Sequence, residues 1–214
     1  MNIYMDQLVA KNYDRYYQTG IGKFVDRVEK ALIRKYLNQI FSCEMLELGC
    51  GTGHWTRFFC EEGFQVTAID ESGAMLEQAR MKNIPNADFL KADAASLPFE
   101  DQRFSVISSV TMFEFVENVD RILDEIDRLL KPGGYLVAGW LNALSETAKS
   151  KDSDETFRHA CFYTPAEIER LLARFGVPLL SYGVYYSSGF ELLDGTKNQN
   201  TVQPAFIASL VQKN

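Results

Sequence analysis

The chain has 214 residues, with 29 acidic against 22 basic side chains, a formal net charge of −7, and 46% apolar and 24% charged residues. That is enough sequence for one substantial core, with none of the composition of disorder, and its average field repels phosphate polymers, which argues against a nucleic-acid partner. No apolar run approaches the roughly 18 residues of a bilayer span, the opening MNIYMDQLVAKNYDRYY lacks the apolar core of a secretion signal, and Cys43, Cys50, Cys60 and Cys161 have no paired spacing. The expectation is a single cytoplasmic domain with reduced packing thiols, no membrane contact, and neither a zinc site nor a disulfide frame.

From Ile21 to Tyr36 the apolar positions Ile21, Val25, Val28, Leu32 and Tyr36 predict one face of a helix. Lys23, Arg27, Lys30 and Arg34 form a second stripe, read as a solvated face because Asp26 sits one turn before Lys30. After Phe41 short apolar runs alternate with helical stretches: MLELG, FQVTAID, ADFLKAD, FSVISSV and YLVAGW. Continuous runs separated by crossover-length segments predict a parallel sheet covered by helices on both faces. A helix is predicted over Trp55 to Glu62, another over Val119 to Leu130 stopped by KPGG, and another from Thr164, where TPAE combines a cap hydroxyl, a first-turn proline and a glutamate. Two last strands, about Leu179 to Tyr186 and Gln203 to Val211, flank a polar loop through Asp194 to Asn200; the connection is too short for a crossover, so the final pairing is antiparallel and the sheet has seven strands. Residues 1–38 and 140–163 are not needed for the sheet and are the expected sources of a lid and of substrate walls.

The strongest local signal is Glu47-Leu48-Gly49-Cys50-Gly51-Thr52-Gly53, a glycine-rich turn between a buried strand and a helix. Such a turn lets a ligand approach the backbone at a helix start. A dinucleotide fingerprint needs its third glycine one position later, where His54 stands, so the spacing argues against NAD. Glu47, Asp70 and Asp93 close three successive strands at the sheet's carboxyl edge. That edge suits a ligand with a cationic amine, a ribose diol and an adenine amine, groups that S-adenosylmethionine carries.

On ELGCGTG, on IDES around Asp70, on ADAASLPFEDQRFSVI, on FEFVENVDRILDEIDRLLKPGG, on YDRYY followed by TGIGKF, and on ACFYTPAEIERLLARFGV, the chain resembles the class I S-adenosylmethionine-dependent methyltransferases, within the methyltransferase type 11 group. The resemblance implies a Rossmann-like α/β fold with a mostly parallel seven-stranded sheet, an antiparallel last strand and helices on both faces. It implies that Glu47, Gly49, Cys50, Gly51 and Gly53 shape the methionine side of a cofactor site, that Asp70, with Glu71 beside it, takes the ribose, and that Asp93 and Ala94 flank the adenine. Ser109, Val110 and Thr111 would lie beneath the sulfonium, and Tyr13 and Tyr17 would fold over it, with Tyr16 beside them. Ser105 departs from the acidic residue that usually opens the fourth strand, and His54 from the usual small polar residue or arginine.

Methyl transfer from a sulfonium asks mainly for alignment and exclusion of water, so a dedicated base is optional. The resemblance places Glu114 near the transferring methyl, where it can orient an amine or take a proton; the alternative is an exposed glutamate at a helix start. His54, at a helix start, is expected neutral, and Arg158 and His159 fall in the insertion that selects the acceptor. The chain has SSVTMFEF where enzymes acting on nucleic-acid amines carry an NPPY-like turn. The expected function is methyl transfer to a nitrogen or oxygen of a small molecule by a monomer or homodimer. The alternatives are a catalytically silent cofactor-binding partner subunit and an NAD-dependent oxidoreductase.

Overall fold

A computed structural model of the chain describes residues 3–42, 44–187, 189, 191–193 and 202–214. Cys43 and the polar loop through Asp194 to Asn200 lie outside the described residues. The predicted runs form β1 (Glu44–Leu48), β2 (Gln65–Asp70), β3 (Ala87–Lys91), β4 (Phe104–Val110) and β5 (Leu130–Leu141), which are mutually parallel. They are followed by β6 (Leu179–Tyr186), β7 (Leu192–Leu193) and β8 (Pro204–Gln212). Among the described residues the sheet has eight strands in the order β3-β2-β1-β4-β5-β8-β6-β7, with β8 antiparallel to both β5 and β6. The eighth strand is β7, whose two residues pair with Tyr185 and Tyr186; a pair is too short to leave a periodic pattern.

The helices are α1 (Gln7–Asn12), α2 (Gly20–Leu37), α3 (His54–Glu61), α4 (Gly73–Met81), α5 (Val119–Leu129), α6 (Glu146–Ser150) and α7 (Pro165–Leu172). Strand side chains alternate between two cores. Met45, Val66, Ala68, Val106 and Val137 pack with α2 and α3, while Leu46, Leu48, Ile69, Ile107, Leu136 and Ala138 pack with α5 and α7. Both faces are therefore apolar, which is why the runs read as continuous. The exception is β3, an edge strand with Asp88, Leu90 and Lys91 exposed.

The inward stripe of α2 differs from the predicted one. Gly22, Val25, Ile33, Tyr36 and Leu37 are buried, Ile21 is 52% exposed, and Val28 and Leu32 are half-buried against Gly183 of β6. Tyr36 Oη donates to Ser181 Oγ at 2.8 Å, fixing α2 on β6. KPGG does more than stop α5: it lies inside β5, next to a register shift between Phe104 and Val106 of β4. The reading at Thr164 holds, with Thr164 and Glu167 capping one another's backbone N–H groups.

Candidate functional site

Between β1 and α3 the chain turns through Gly49, Gly51 and Gly53 at φ of 69°, 53° and 78°. The first two glycines are needed for different reasons. A Cβ on Gly49 would stand 2.3 Å from Met112 Cγ, so the turn packs directly on the segment after β4. A Cβ on Gly51 would meet nothing within 4 Å, so this left-handed residue borders open space. The Cys50 N–H donates to the Ile69 carbonyl at 2.9 Å and ties the turn to β2, with the thiol buried.

Asp70 closes β2 beside this turn. The Gly51 N–H donates to Oδ2 and the Ser72 N–H to Oδ1, both at 2.8 Å. Burial raises the Asp70 pKa, and these two bonds only partly offset it. Each oxygen, holding one main-chain donor, keeps further acceptor capacity. Glu71 is exposed next to it.

The other two acids do not converge with Asp70. Glu47 shares the sheet face of Met45 by strand alternation, so its side chain enters the α3 core, where Thr56 Oγ1 donates to it at 2.6 Å and it is 2% exposed. Burial pushes its pKa up to about 8. Asp93 is exposed beyond β3, and its carboxylate accepts the Ala95 N–H at 2.8 Å, with Ala94 half-buried between them. Ser109 and Val110 are buried at the end of β4, and Ser109 Oγ donates to the Leu48 carbonyl at 3.2 Å.

The N-terminal segment crosses this rim. Thr52 Oγ1 donates to Asp14 Oδ1 at 2.7 Å, and Lys82 Nζ lies 2.6 Å from Asp14 Oδ2 and 3.2 Å from Thr52 Oγ1. Ser72 Oγ donates to the Tyr4 carbonyl at 2.6 Å. Tyr17 stacks on His54 with ring centres 3.6 Å apart and 4° between planes, and Tyr13 packs edge-on against Tyr17 and Tyr4. Burial raises the phenols of Tyr13 and Tyr17. His54 Nε2 lies 2.6 Å from Asp26 Oδ1, so the ring at the helix start faces an anion that the linear sequence did not place there. Burial would raise Asp26, but hydrogen bonds from His54 and Lys30 outweigh it and hold the carboxyl below its ordinary range.

Glu114 sits in the one-turn helix Phe113–Phe115 after β4 and is 1% exposed, unlike the exposed glutamate of the alternative expectation. The Leu141 N–H donates to its Oε1 at 2.7 Å, whereas the buried Oε2 has no hydrogen-bond partner among the described residues. Burial pushes its pKa up to about 8. Its neighbour Phe115 packs on Tyr4 at 5.0 Å and on Phe157 of the insertion at 6.4 Å. Arg158 and His159 are exposed, and Arg158 lies 3.4 Å from Glu155.

Sequence reasoning passed over Thr52, Asp14 and Lys82 as a unit; the only signal was Asp14 within YDRYY and Thr52 within GTG. It also missed Met112 and Tyr4. A separate cavity of about 310 Å³ lies at the opposite end of β4 and β5, walled by Phe41, Ser105, Lys131 and Tyr135 among others. Asp70 and the glycine turn stand at the carboxyl rim.

Residues 46–138 match the family model of a methyltransferase domain. The chain is 32% identical over 109 residues to the malonyl-[acyl-carrier protein] O-methyltransferase of Pectobacterium atrosepticum, covering 50% of this chain and 43% of that relative. It is 35% identical over 109 residues to phthiotriol/phenolphthiotriol dimycocerosates methyltransferase 1 of Mycobacterium ulcerans, covering 49% and 40%. The match thus spans less than half the length of these curated relatives. The solved structure of an S-adenosylmethionine-dependent methyltransferase from Thermotoga maritima superposes with a TM-score of 0.75 at 23% identity, covering 99% of both chains, a likeness of fold. Residues 46–138 thus resemble a methyltransferase domain, and the chain as a whole has the Rossmann-like fold of the S-adenosylmethionine-dependent methyltransferases.

Proposed function

We propose that the protein transfers a methyl group from S-adenosylmethionine to a nitrogen or oxygen of a small-molecule acceptor. The observation that carries this is Asp70: its two oxygens are oriented by the Gly51 and Ser72 N–H groups and keep acceptor capacity beside the open space at Gly51. An anion so placed repels a phosphate and fits a ribose diol.

In this reading Asp70 holds the ribose, with Glu71 beside it, and Asp93 and Ala94 flank the adenine. Gly49, Cys50, Gly51 and Gly53 form the wall for the methionine portion; Glu47 serves from behind by anchoring α3 through Thr56. Ser109 and Val110 form the floor. When bound, the donor supplies a sulfonium methyl open to in-line displacement, with a neutral thioether leaving group. Residues 1–38 act as a lid of a single domain, Tyr13 and Tyr17 excluding water, and residues 140–163 cover the acceptor. Glu114 takes the proton of the acceptor through Oε2, which is reached when Tyr4 lifts from Phe115. A raised carboxyl pKa suits a base working near neutral pH. A monomer or homodimer in the cytoplasm, independent of nucleic acid and membrane, is consistent with the net charge and with the absence, among the described residues, of a helix long and apolar enough to cross a membrane.

Calorimetric titration with S-adenosylmethionine and S-adenosylhomocysteine and methyl transfer to a panel of amines, phenols and carboxylic acids test the reading. Binding with turnover is the expected result. Absence of heat for both nucleosides overturns it, and binding without turnover on any acceptor leaves the catalytically silent partner subunit.

A further inference from the structure

β3 and β4 run parallel but are not neighbours: β2 and β1 lie between them, so residues 92–103 carry the chain across two strands. Such a crossover is usually a helix, which bonds its own backbone groups. Residues 92–103 contain no helix, so their polar groups need partners from elsewhere. One turn of α5 supplies them. The Leu97 N–H donates to Glu125 Oε1 at 2.7 Å, and Arg128 donates to the Leu97 carbonyl at 3.2 Å, to the Phe99 carbonyl at 2.8 Å and to Asp101 Oδ1 at 2.6 Å. Arg128 also grips both oxygens of Glu125, Nε to Oε2 at 2.8 Å and Nη2 to Oε1 at 2.7 Å, a fork that fixes the carboxylate under the Leu97 N–H. The helix beneath them is anchored in the core by buried Ile122, Leu123, Ile126 and Leu129.

The crossover opens with Asp93. The Ala95 N–H donates to Asp93 Oδ1 at 2.8 Å and the Ser96 N–H to the Asp93 carbonyl at 3.0 Å, so residues 93–96 form one tight turn. At its near end the Ala92 N–H donates to the Asp70 carbonyl at 3.2 Å. At its far end Leu97, 7% exposed, enters the α5 core and is held by Glu125 and Arg128. The turn is therefore suspended between Asp70 and α5. Asp93 Oδ2 is exposed and accepts no hydrogen bond among the described residues, so its place relative to Asp70 is set by these two attachments.

We propose that Glu125 and Arg128 are positioning residues for recognition of the cofactor's base: acting through Leu97, they hold the Asp93 carboxylate where it accepts a hydrogen bond from the exocyclic amine of adenine. This rests on the methyl-transfer reading, in which Asp70 takes the ribose and Asp93 flanks the adenine. The pair itself touches no ligand. A base carrying a carbonyl oxygen in place of the amine would set two acceptors face to face, so preference for the amino base is built from a helix remote from it.

The test is calorimetry, direct or by competition, with S-adenosylhomocysteine and with S-inosylhomocysteine, which carries the carbonyl oxygen. The wild type binds the adenosyl compound at least about tenfold more tightly. Arg128→Met weakens the adenosyl compound at least about fivefold and leaves the inosyl compound within about twofold, so the preference collapses. Arg128→Lys, which keeps the charge but not the fork, does the same. Glu125→Gln, which retains an acceptor for the Leu97 N–H, keeps an intermediate preference and decides the matter if Arg128→Met fails to fold. Arg174→Met removes the ion pairs to Asp120 and Asp124 of the same helix, at 3.5 and 2.6 Å, and leaves the preference at the wild-type value. Folded Arg128 and Glu125 variants that are less stable yet keep the wild-type preference show a brace only and overturn the proposal. So do equal losses for both compounds, or a wild type that does not distinguish them. A wild type that binds neither compound instead removes the methyl-transfer reading.

Discussion

Asp14 and Thr52 are joined by a 2.7 Å hydrogen bond across 38 positions of sequence, and Lys82 closes the group by reaching both. The bond fastens the N-terminal segment to the glycine turn itself, because Thr52 lies between Gly51 and Gly53 and is 1% exposed. Replacing Thr52 with Val leaves Asp14 and Lys82 paired but removes the donor to Asp14, at an expected cost of about 1 to 2 kcal/mol in unfolding free energy. Affinity for S-adenosylhomocysteine is expected to fall as well, because the N-terminal segment proposed as a lid is then ordered by the ligand rather than beforehand. Denaturant unfolding and calorimetry measure the two effects, and an unchanged affinity speaks against a role for this contact in closing the site.

The glycine turn separates stability from binding. Gly49→Ala places a methyl against Met112 at a positive φ and costs about 2 to 4 kcal/mol. Gly51→Ala meets open space, so its folding cost is only the left-handed backbone term of about 1 kcal/mol. Its methyl nevertheless enters the space proposed for the nucleoside, and the affinity for S-adenosylhomocysteine is expected to drop at least about tenfold. Equal losses of stability in the two variants contradict this assignment.

Asp70→Ala removes the acceptor for the Gly51 and Ser72 N–H groups and, in the proposed reading, the ribose partner. Binding of S-adenosylhomocysteine becomes undetectable at ligand concentrations that saturate the wild type. Asp70→Asn, which retains one carbonyl oxygen, shows an intermediate affinity. Wild-type binding by Asp70→Ala places the nucleoside elsewhere.

The Glu114 carboxyl, about 8 when folded, titrates near 4.3 in an unfolded chain. Between these values the native state holds a proton that the unfolded state has released. Its contribution to stability is therefore complete below about pH 4.3 and is lost as pH rises through about 8, with a slope of up to about 1.4 kcal/mol per pH unit. Glu114→Gln, neutral in both states, flattens the decline in urea midpoints measured from pH 5 to 8. With Glu114 as the proposed base, the methyl-transfer rate of the wild type is expected to rise with pH up to about 8, and Glu114→Gln to abolish that rise. A decline as steep in the variant as in the wild type rules out a buried, titrating Glu114.

Most strands were legible because both sheet faces are covered, so unbroken runs such as FSVISSV mark β4 to the residue. The acids that close them were legible too, but their directions were not: Glu47 and Asp70 end neighbouring strands, yet alternation sends Glu47 into the α3 core, while Asp70, at the strand's last residue, turns to the glycine loop. The face of α2 was misjudged because Ile21 looks like a core residue, whereas Gly22 and Ile33 are the buried ones, and only the packing of Val28 and Leu32 on Gly183 of β6 fixes the helix's rotation. The latch of Asp14, Thr52 and Lys82 joins three separate segments and leaves no periodic trace.

The position of β8 has a consequence for how the molecule is assembled. β8 follows β6 in the chain but lies between β5 and β6. Until it inserts, β5 presents a bare apolar margin and β6 has no sheet to join. The half built on β1 to β5 can condense from near-neighbour βα units, while the β6 to β8 half waits for one long-range insertion. Refolding is therefore expected to proceed in two phases, with the slower one reporting β8 and the intermediate prone to associate through the unfilled slot.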